Sequence, residues 1–143
     1  MKHLSLKSPS LKEKLLEHSI RPTAQRLAIA DFVLQKGRHS TAEMVQEHLK
    51  KFFPHISLAT IYNTLNLFSK KGLLKEYRFP HSGHVFFDNN TQPHAHFLDE
   101  NSQEIYDVPM EKVNISLKND SFEIQDVEVL FKGTLTNKGG QSG

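Results

Sequence analysis

The sequence predicts an α+β protein made of an N-terminal winged helix-turn-helix domain and a small C-terminal α/β domain. Three observations predict this fold class. Apolar residues recur at helical spacing up to Gly72 and at strand spacing beyond it. A polar, turn-rich segment, NNTQP at residues 89–93, separates the two parts. The charge also changes sign, because residues 1–85 hold 14 Lys and Arg against 6 Asp and Glu, whereas residues 86–143 hold 4 against 10.

Four capped amphipathic segments predict helices in the first part. They cover residues 10–18, 23–37, 40–54 and 57–72. Ser10 with Glu13 and Ser40 with Glu43 have capping-box spacing, and Thr23 and Ser57 can cap the other two helices. Leu58, Ile61, Leu65 and Phe68 form one apolar stripe, and Gly37 and Gly72 stand where helices end. Three closely linked helices after a leading one indicate a helix-turn-helix arrangement.

Two strands follow the last helix and complete a winged helix. Residues 73–79 and 84–88 can pair around a turn at 80–83. A helical bundle with a surface hairpin has the same pattern, since caps and apolar stripes specify folding alone. The basic charge of this half favours a polyanion such as nucleic acid as its partner, and the acidic half suits cations. We therefore expect domain 1–88 to bind DNA.

The second part reads as a small α/β unit over residues 94–135, after the hinge at 89–93. We predict strands at 94–98 and 103–108 around a turn at 99–102, a helix at 110–118, and a strand at 122–131 whose phase slips at Gln125 and Asp126. The unit has few apolar residues of its own, so we expect it to form a homodimer through its strands. The tail at 136–143 is expected to be disordered.

Cysteine is absent from the sequence, whereas histidine occurs nine times. Disulfides, thiolate nucleophiles, iron–sulfur clusters and cysteine-ligated zinc are excluded, so a metal would need imidazole or oxygen ligands. No stretch reaches the roughly 18 continuous apolar residues of a membrane span. The start, Met1 to Leu4, leads into no signal-type apolar core. We expect a soluble, cytoplasmic protein without membrane partners.

Two histidines and two carboxylates suggest a metal site near the hinge. His94 and His96 stand at i and i+2, hence on one face of a strand. Asp88 ends the preceding strand, and Asp107 lies in the strand expected to pair with the histidines. This donor set suits a divalent first-row metal. Taken alone, a His-x-His pair on a solvated surface is an equally good interpretation.

Several motifs of the chain resemble those of the ferric uptake regulator family of metal-dependent repressors, most closely its peroxide-sensing branch. RPTAQR at residues 21–26 is similar to the family's R-x-T-x-Q-R segment, and HSTAE at 39–43 is similar to H-x-T-A-[DE]. SLATIYNTL at 57–65 resembles the S-x-A-T-[VI]-Y-N-x-L recognition helix. Asp88, His94, His96 and Asp107 follow at the spacing of the regulatory metal site. The resemblance covers about residues 10–135.

The resemblance implies a fifth metal ligand, His39, which lies at the junction of the second and third predicted helices. Together with the four residues above it would hold Fe(II) or Mn(II), with Zn(II) as a possible substitute. Ligands from both halves would let metal binding select one interdomain angle. The chain departs from the family at the structural zinc site, which uses two C-x-x-C pairs. Asp99 and Ser102 occupy the first pair's positions, so we predict no structural zinc.

The resemblance also implies which residues contact DNA. Tyr62 and Asn63 are expected to read bases in the major groove, with Ser57 and Thr60 nearer phosphates, as are Lys70 and Lys71. The Tyr62 ring is expected to face away from the core, because Tyr62 follows the core position Ile61 by one residue. Arg21 is expected to enter an A·T-rich minor groove. A two-fold dimer implies a palindromic duplex.

The resulting prediction is a repressor, and not an enzyme, that senses peroxide by iron-catalysed oxidation of its ligands His39 and His94. Asp107 favours the peroxide branch, because iron-sensing relatives usually have Glu there. Three alternatives stay open: an iron- or manganese-responsive repressor without peroxide sensing, a small non-haem metalloenzyme, and a metal-independent winged-helix protein with a vestigial site.

Overall fold

A computed structural model describes residues 9–79, 83–118 and 121–136 of the chain. The described residues form two compact units, one ending at Thr91 and the other beginning at Gln92. The start of the chain at residues 1–8, most of the turn predicted at 80–83, and the tail from residue 137 onward lie outside the described residues.

The described part of the first unit contains four α-helices, each with a side-chain N-cap. They are α1 (Leu11–Glu17), α2 (Ala24–Val33), α3 (Ala42–Leu49) and α4 (Leu58–Lys70). The Ser10–Glu13 capping box is confirmed, and Thr23 and Ser57 cap α2 and α4 as predicted. Gly72 follows the end of α4 with φ +82°, the left-handed conformation that only glycine adopts without strain.

Two details of α3 differ from the prediction. Its cap is Thr41, whose side chain accepts a hydrogen bond from the amide of Met44, so the predicted box of Ser40 and Glu43 is wrong by one residue. The helix also ends at Leu49, well before Pro54. Phe52 consequently lies beyond the helix and is 64% exposed, whereas Phe53 packs against the core.

A three-stranded sheet, in the order β1-β3-β2, completes the first unit. Its strands are β1 (His39–Ser40), β2 (Lys75–Arg78) and β3 (Val85–Asp88). β2 and β3 form the predicted hairpin, here called the wing, and begin one or two residues later than expected. β1 was not predicted, because two residues are too few for a periodicity signal. It pairs with β3 in antiparallel register, with His39 opposite Asp88.

The core of the first unit lies between the helices and the wing. Every predicted stripe residue of α4 except Leu58 is fully buried, and Phe87 of β3 closes the cluster from the sheet side. Burying this many large apolar side chains is the main favourable term for folding the unit. The helices that present candidate DNA contacts are therefore rigidly supported.

The second unit is a three-stranded sheet in the order β5-β4-β6. The strands are β4 (His94–Asp99), β5 (Ile105–Pro109) and β6 (Leu130–Gly133). β4 pairs with β5 in antiparallel register, with His96 opposite Asp107, and with β6 in parallel. The predicted pair of strands around the turn at 99–102 is therefore confirmed.

Two predictions for the second unit are wrong. Only Met110–Lys112 forms a 3₁₀ turn where a helix over 110–118 was expected. Val113, Ile115 and Leu117 alternate at period two, a spacing that gives a helix no continuous apolar face. A strand was expected over 122–131, but β6 begins only at Leu130. Its hydrogen bonds to β4 start where the amide of His96 donates to the carbonyl oxygen of Val129. Phe122 and Val127 are more than half exposed.

Candidate metal centre and nucleic-acid interface

In the first unit, the sheet brings one imidazole and one carboxylate together. Nε2 of His39 lies 3.2 Å from Oδ2 of Asp88, and Asp88 is fully buried. The other carboxylate oxygen accepts a hydrogen bond of 2.9 Å from the backbone amide of Asn90. The antiparallel pairing of β1 with β3 produces this pair, because it places the two residues directly opposite each other.

In the second unit, two imidazoles converge on one carboxylate oxygen. Nε2 of His94 lies 3.3 Å from Oδ1 of Asp107, and Nε2 of His96 lies 3.8 Å from the same atom. The two rings are 4.5 Å apart between centroids. Both histidines are buried, and Asp107 is partly exposed. The i, i+2 spacing on β4 and the cross-strand position of Asp107 account for the convergence.

A backbone contact fixes the orientation of His94. Its Nδ1 atom donates a hydrogen bond of 2.7 Å to the carbonyl oxygen of Gln92, because a carbonyl can only accept. In the neutral ring this places the lone pair on Nε2, the atom that faces Asp107. Histidines that ligate metals typically carry such a second contact, which sets the tautomer and the ring direction.

Both donor sets fit a divalent first-row metal. Ligand atoms about 2.0–2.2 Å from such an ion lie about 2.8–3.6 Å from their neighbouring ligand atoms, over the tetrahedral and octahedral geometries together. The separations of 3.2 Å for His39 with Asp88 and 3.3 Å for His94 with Asp107 fall in this range, and 3.8 Å for His96 lies just outside it. Imidazole with carboxylate suits Fe, Mn or Zn.

The turn after β4 is held by side-chain hydrogen bonds. Ser102 Oγ donates to Oδ2 of Asp99 at 2.7 Å, and the amide of Asn101 donates to Oδ1 at 3.1 Å. The hydroxyl of Ser102 is the main reason that the pKa of Asp99 lies below its usual value. Asp99 and Ser102 occupy the positions of the first C-x-x-C pair in the structural zinc site that the family resemblance implies.

Candidate DNA contacts line a shallow polar pocket between the start of α2 and the middle of α4. Arg21, Thr60 and Asn63, three of the seven predicted contacts, line it. Gln25 and Arg26 also line it and were missed, although both belong to the RPTAQR segment. The guanidinium of Arg26 donates to the carbonyl oxygen of Arg21 at 2.8 Å.

The exposed face of α4 differs in part from the one expected. Its exposed residues recur at helical spacing: Ala59, Asn63, Asn66 and Lys70. Tyr62 is half-buried and packs against the core, so the expectation that its ring faces away from the core is wrong. Burial raises the pKa of the Tyr62 hydroxyl, and the carboxylate of Glu43 raises it further. Ser57 and Thr60 are joined to each other at the helix start by a 2.9 Å hydrogen bond.

Comparison with known proteins places the chain in a family. Residues 17–131 match the model of the ferric uptake regulator family. The chain belongs to this family. It is 37% identical over 100 residues to the peroxide-responsive repressor PerR of Staphylococcus aureus. The aligned residues make up 70% of this chain and 67% of that protein.

Solved structures of the family share the fold of the chain. The Pseudomonas aeruginosa ferric uptake regulator with manganese superposes with a TM-score of 0.64 at 21% identity, covering 88% of this chain and 98% of that one. PerR from Streptococcus pyogenes, described in a study of peroxide sensing and gene regulation, gives 0.52 at 22% identity, covering 96% and 98%. The predicted fold class is therefore confirmed.

Family membership settles the broad class of function. Ferric uptake regulators are metal-responsive transcriptional regulators that bind DNA and act as dimers, and they are not enzymes. The metalloenzyme alternative is thereby excluded. Among the helices in the described part of the chain, none is both long and apolar enough to cross a membrane.

Proposed function

We propose that the protein is a metal-dependent repressor that binds duplex DNA as a homodimer and releases it when peroxide oxidises its ligands. The observation that carries the proposal is the convergence of His94 and His96 on one oxygen of Asp107, matched by the His39–Asp88 pair of the first unit. The 37% identity to a peroxide-responsive repressor supports the peroxide branch.

The proposed ligands are His39 and Asp88 from one unit with His94, His96 and Asp107 from the other. Imidazole and carboxylate ligands favour Fe(II) or Mn(II), and Zn(II) could substitute. When bound, Fe(II) would supply reductive cleavage of the peroxide O–O bond, which Mn(II) and Zn(II) support poorly or not at all. Asp99 and Ser102 offer no thiolates, so we propose that no structural zinc is bound.

If ligands from both units bind one ion, the free energy of metal binding would favour a single arrangement of the two units. We assign DNA binding to residues 1–88, dimerisation to 94–135 and the hinge to 89–93. His39 and His94 are the side chains proposed to be oxidised. Each would gain one oxygen atom on its imidazole while the second peroxide oxygen leaves as water. An oxidised ring is a poorer donor, so the selected arrangement is lost.

The DNA contacts are proposed from the pocket between α2 and α4. Arg21 would enter an A·T-rich minor groove, and Asn63, on the exposed stripe of α4, would read a base edge. Ser57 and Thr60 are near phosphates in this proposal, and the half-buried Tyr62 would contact a base with the exposed edge of its ring. A two-fold dimer would recognise a palindrome.

The test uses a duplex selected from a random library by the Mn(II)-loaded protein. The protein is loaded with Fe(II) or Mn(II), treated with peroxide, and assayed for duplex binding and for the mass of its peptides. The iron form should lose the duplex and gain the mass of one oxygen atom on a peptide holding His39 or His94. Unchanged masses with persistent binding would instead indicate a repressor that responds to iron or manganese alone. Duplex binding that chelation leaves unaltered would contradict metal dependence itself.

A further inference from the structure

Asn89, the residue after the proposed ligand Asp88, fastens the end of β3 to the end of α2. Its side-chain nitrogen donates to the carbonyl oxygen of Val33 at 2.8 Å and to that of Gln35 at 2.6 Å. Val33 is the last residue of α2, and its carbonyl is one of those that a helix end leaves without an intrahelical partner. A residue 56 positions away in sequence thus completes this helix end.

The contact gives the His39–Asp88 pair a second connection to the end of α2, in addition to the one through β1. His39 lies opposite Asp88 in the sheet, and only residues 34–38 separate α2 from His39. Arg38, in this connection, places its guanidinium 4.0 Å from the centre of the Phe32 ring. The His39–Asp88 pair is therefore connected to the end of α2 in two ways: through β1 by the connecting residues 34–38, and through β3 by Asn89.

We infer that Asn89 is a positioning residue that makes the His39–Asp88 pair and helix α2 move as one body. The inference rests on the proposed function, in which metal bound at that pair alters DNA affinity. α2 begins beside Arg21 and contains Arg26, so its opposite end lines the candidate DNA pocket. A hydrogen-bonded helix transmits displacement along its axis as a rigid element. Without Asn89, the pair would be linked to α2 by the two-residue strand β1, by its connection to α2, and by the packing of Phe87 in the core.

The first measurement is amide hydrogen exchange of the full chain with and without Mn(II). Mn(II) should slow exchange along α2 as well as in β1 and β3 of the wild type. In Asn89→Ala, the slowing should persist in β1 and β3 but disappear from α2. Equal Mn(II)-dependent protection of α2 in the two proteins would overturn the inference, as would an absence of α2 protection in the wild type.

The second measurement is the ratio of duplex dissociation constants without and with Mn(II), using the selected duplex. Asn89→Ala should lower this ratio by up to about 30-fold, since two hydrogen bonds of ordinary net strength together amount to about that factor. A purely structural role would lower the melting temperature and leave the ratio unchanged, which would contradict the inference. Thr91→Ala, an exposed threonine of the same segment, is the matched control and should behave as wild type.

Asn89→Asp separates hydrogen-bond donation from shape and from metal affinity. The carboxylate has the same size but cannot donate to the two carbonyls. Its added negative charge beside Asp88 favours a cation, so Mn(II) should bind at least as tightly while α2 loses its protection. Protection of α2 retained in Asn89→Asp would refute the role of donation. If Mn(II) protects α2 in the wild type but does not change duplex affinity, the proposed function fails and the role of Asn89 stands.

Discussion

His94 donates from Nδ1 to the backbone carbonyl of Gln92, 2.7 Å away, and its Nε2 atom therefore faces Asp107 at 3.3 Å. The backbone contact sets the direction of the ring and the nitrogen that carries the lone pair. A ligand that is directed in this way before the metal arrives loses little conformational entropy on binding.

Replacing His94 with Ala should lower Mn(II) affinity by more than about 100-fold. Loss of a residue that only supports a metal ligand already lowers affinity by about 10- to 100-fold, and here a proposed ligand itself is removed. One ligand and the orientation of the site disappear together. Competition with a metal-binding dye measures the affinity, and duplex binding should fall in parallel. His55→Ala removes an exposed histidine of the first unit and should change neither quantity. Similar losses in both variants would show that histidine content, and not this site, governs metal binding.

Local sequence signals predicted the helices well because each has its own cap and its own apolar stripe. Ser57 at the start of α4 and Gly72 just beyond its end are such signals, and both act within a few residues of the helix. The antiparallel strands around the turn at 99–102 were predictable for the same reason. His94 and His96 share a strand face by spacing alone.

The features that sequence missed depend on contacts between distant segments. β1 exists because His39 and Ser40 pair with β3, and the hydrogen bonds from Asn89 to α2 span more than 50 residues. Neither leaves a periodic pattern. The strand expected over 122–131 failed for a related reason: alternation marks a segment that could pair, but a strand forms only where a partner supplies hydrogen bonds. Here β4 supplies them only from Val129 onward.

Asn63→Ala and Arg21→Ala should weaken duplex binding in different ways. Loss of a base contact by Asn63 should cost about 1–3 kcal/mol and relax specificity at one base pair. Loss of Arg21 should weaken binding and reduce the slope of log affinity against log salt by about one. Fluorescence anisotropy over a salt series, on the selected duplex and on single-base variants, separates the two.

Lys112→Ala is the control for the loss of charge, since it removes one cation from the second unit. Its affinity and salt slope should match those of the wild type. A drop as large as that of Arg21→Ala would mean that net charge, and not the pocket between α2 and α4, determines DNA binding.

Ser102→Ala should destabilise the second unit at neutral pH and not at low pH. The Ser102 hydroxyl is the main cause of the lowered pKa of Asp99, so its removal raises that pKa toward the ordinary value. A carboxyl whose pKa is lowered in the folded state stabilises the fold above its unfolded pKa, near 3.9, and this contribution disappears as pH falls through the folded pKa. Melting temperatures of the two proteins should therefore differ at pH 7 and converge below about pH 3.

Ser116→Ala, an exposed serine of the same unit, should melt as the wild type does at every pH. NMR titration of the Asp99 carboxyl provides the direct check, because its midpoint should rise in Ser102→Ala. A constant difference in melting temperature across the pH range would show that Ser102 acts through packing and not through the charge of Asp99.

Asp107→Glu should separate metal-dependent DNA binding from peroxide sensing. The charge is retained, so Mn(II) should still promote duplex binding, within about tenfold of the wild type. The additional methylene moves the carboxylate relative to the His94 ring, whose Nε2 now lies 3.3 Å from it, and oxidation needs close approach of the reacting atoms. Peptide mass after Fe(II) and peroxide should therefore show much less oxygen on His94. Asp107→Asn, which removes the charge, should lose Mn(II) binding and DNA binding together. Equal oxidation of Asp107→Glu and wild type would mean that the length of this carboxylate does not select between metal and peroxide sensing.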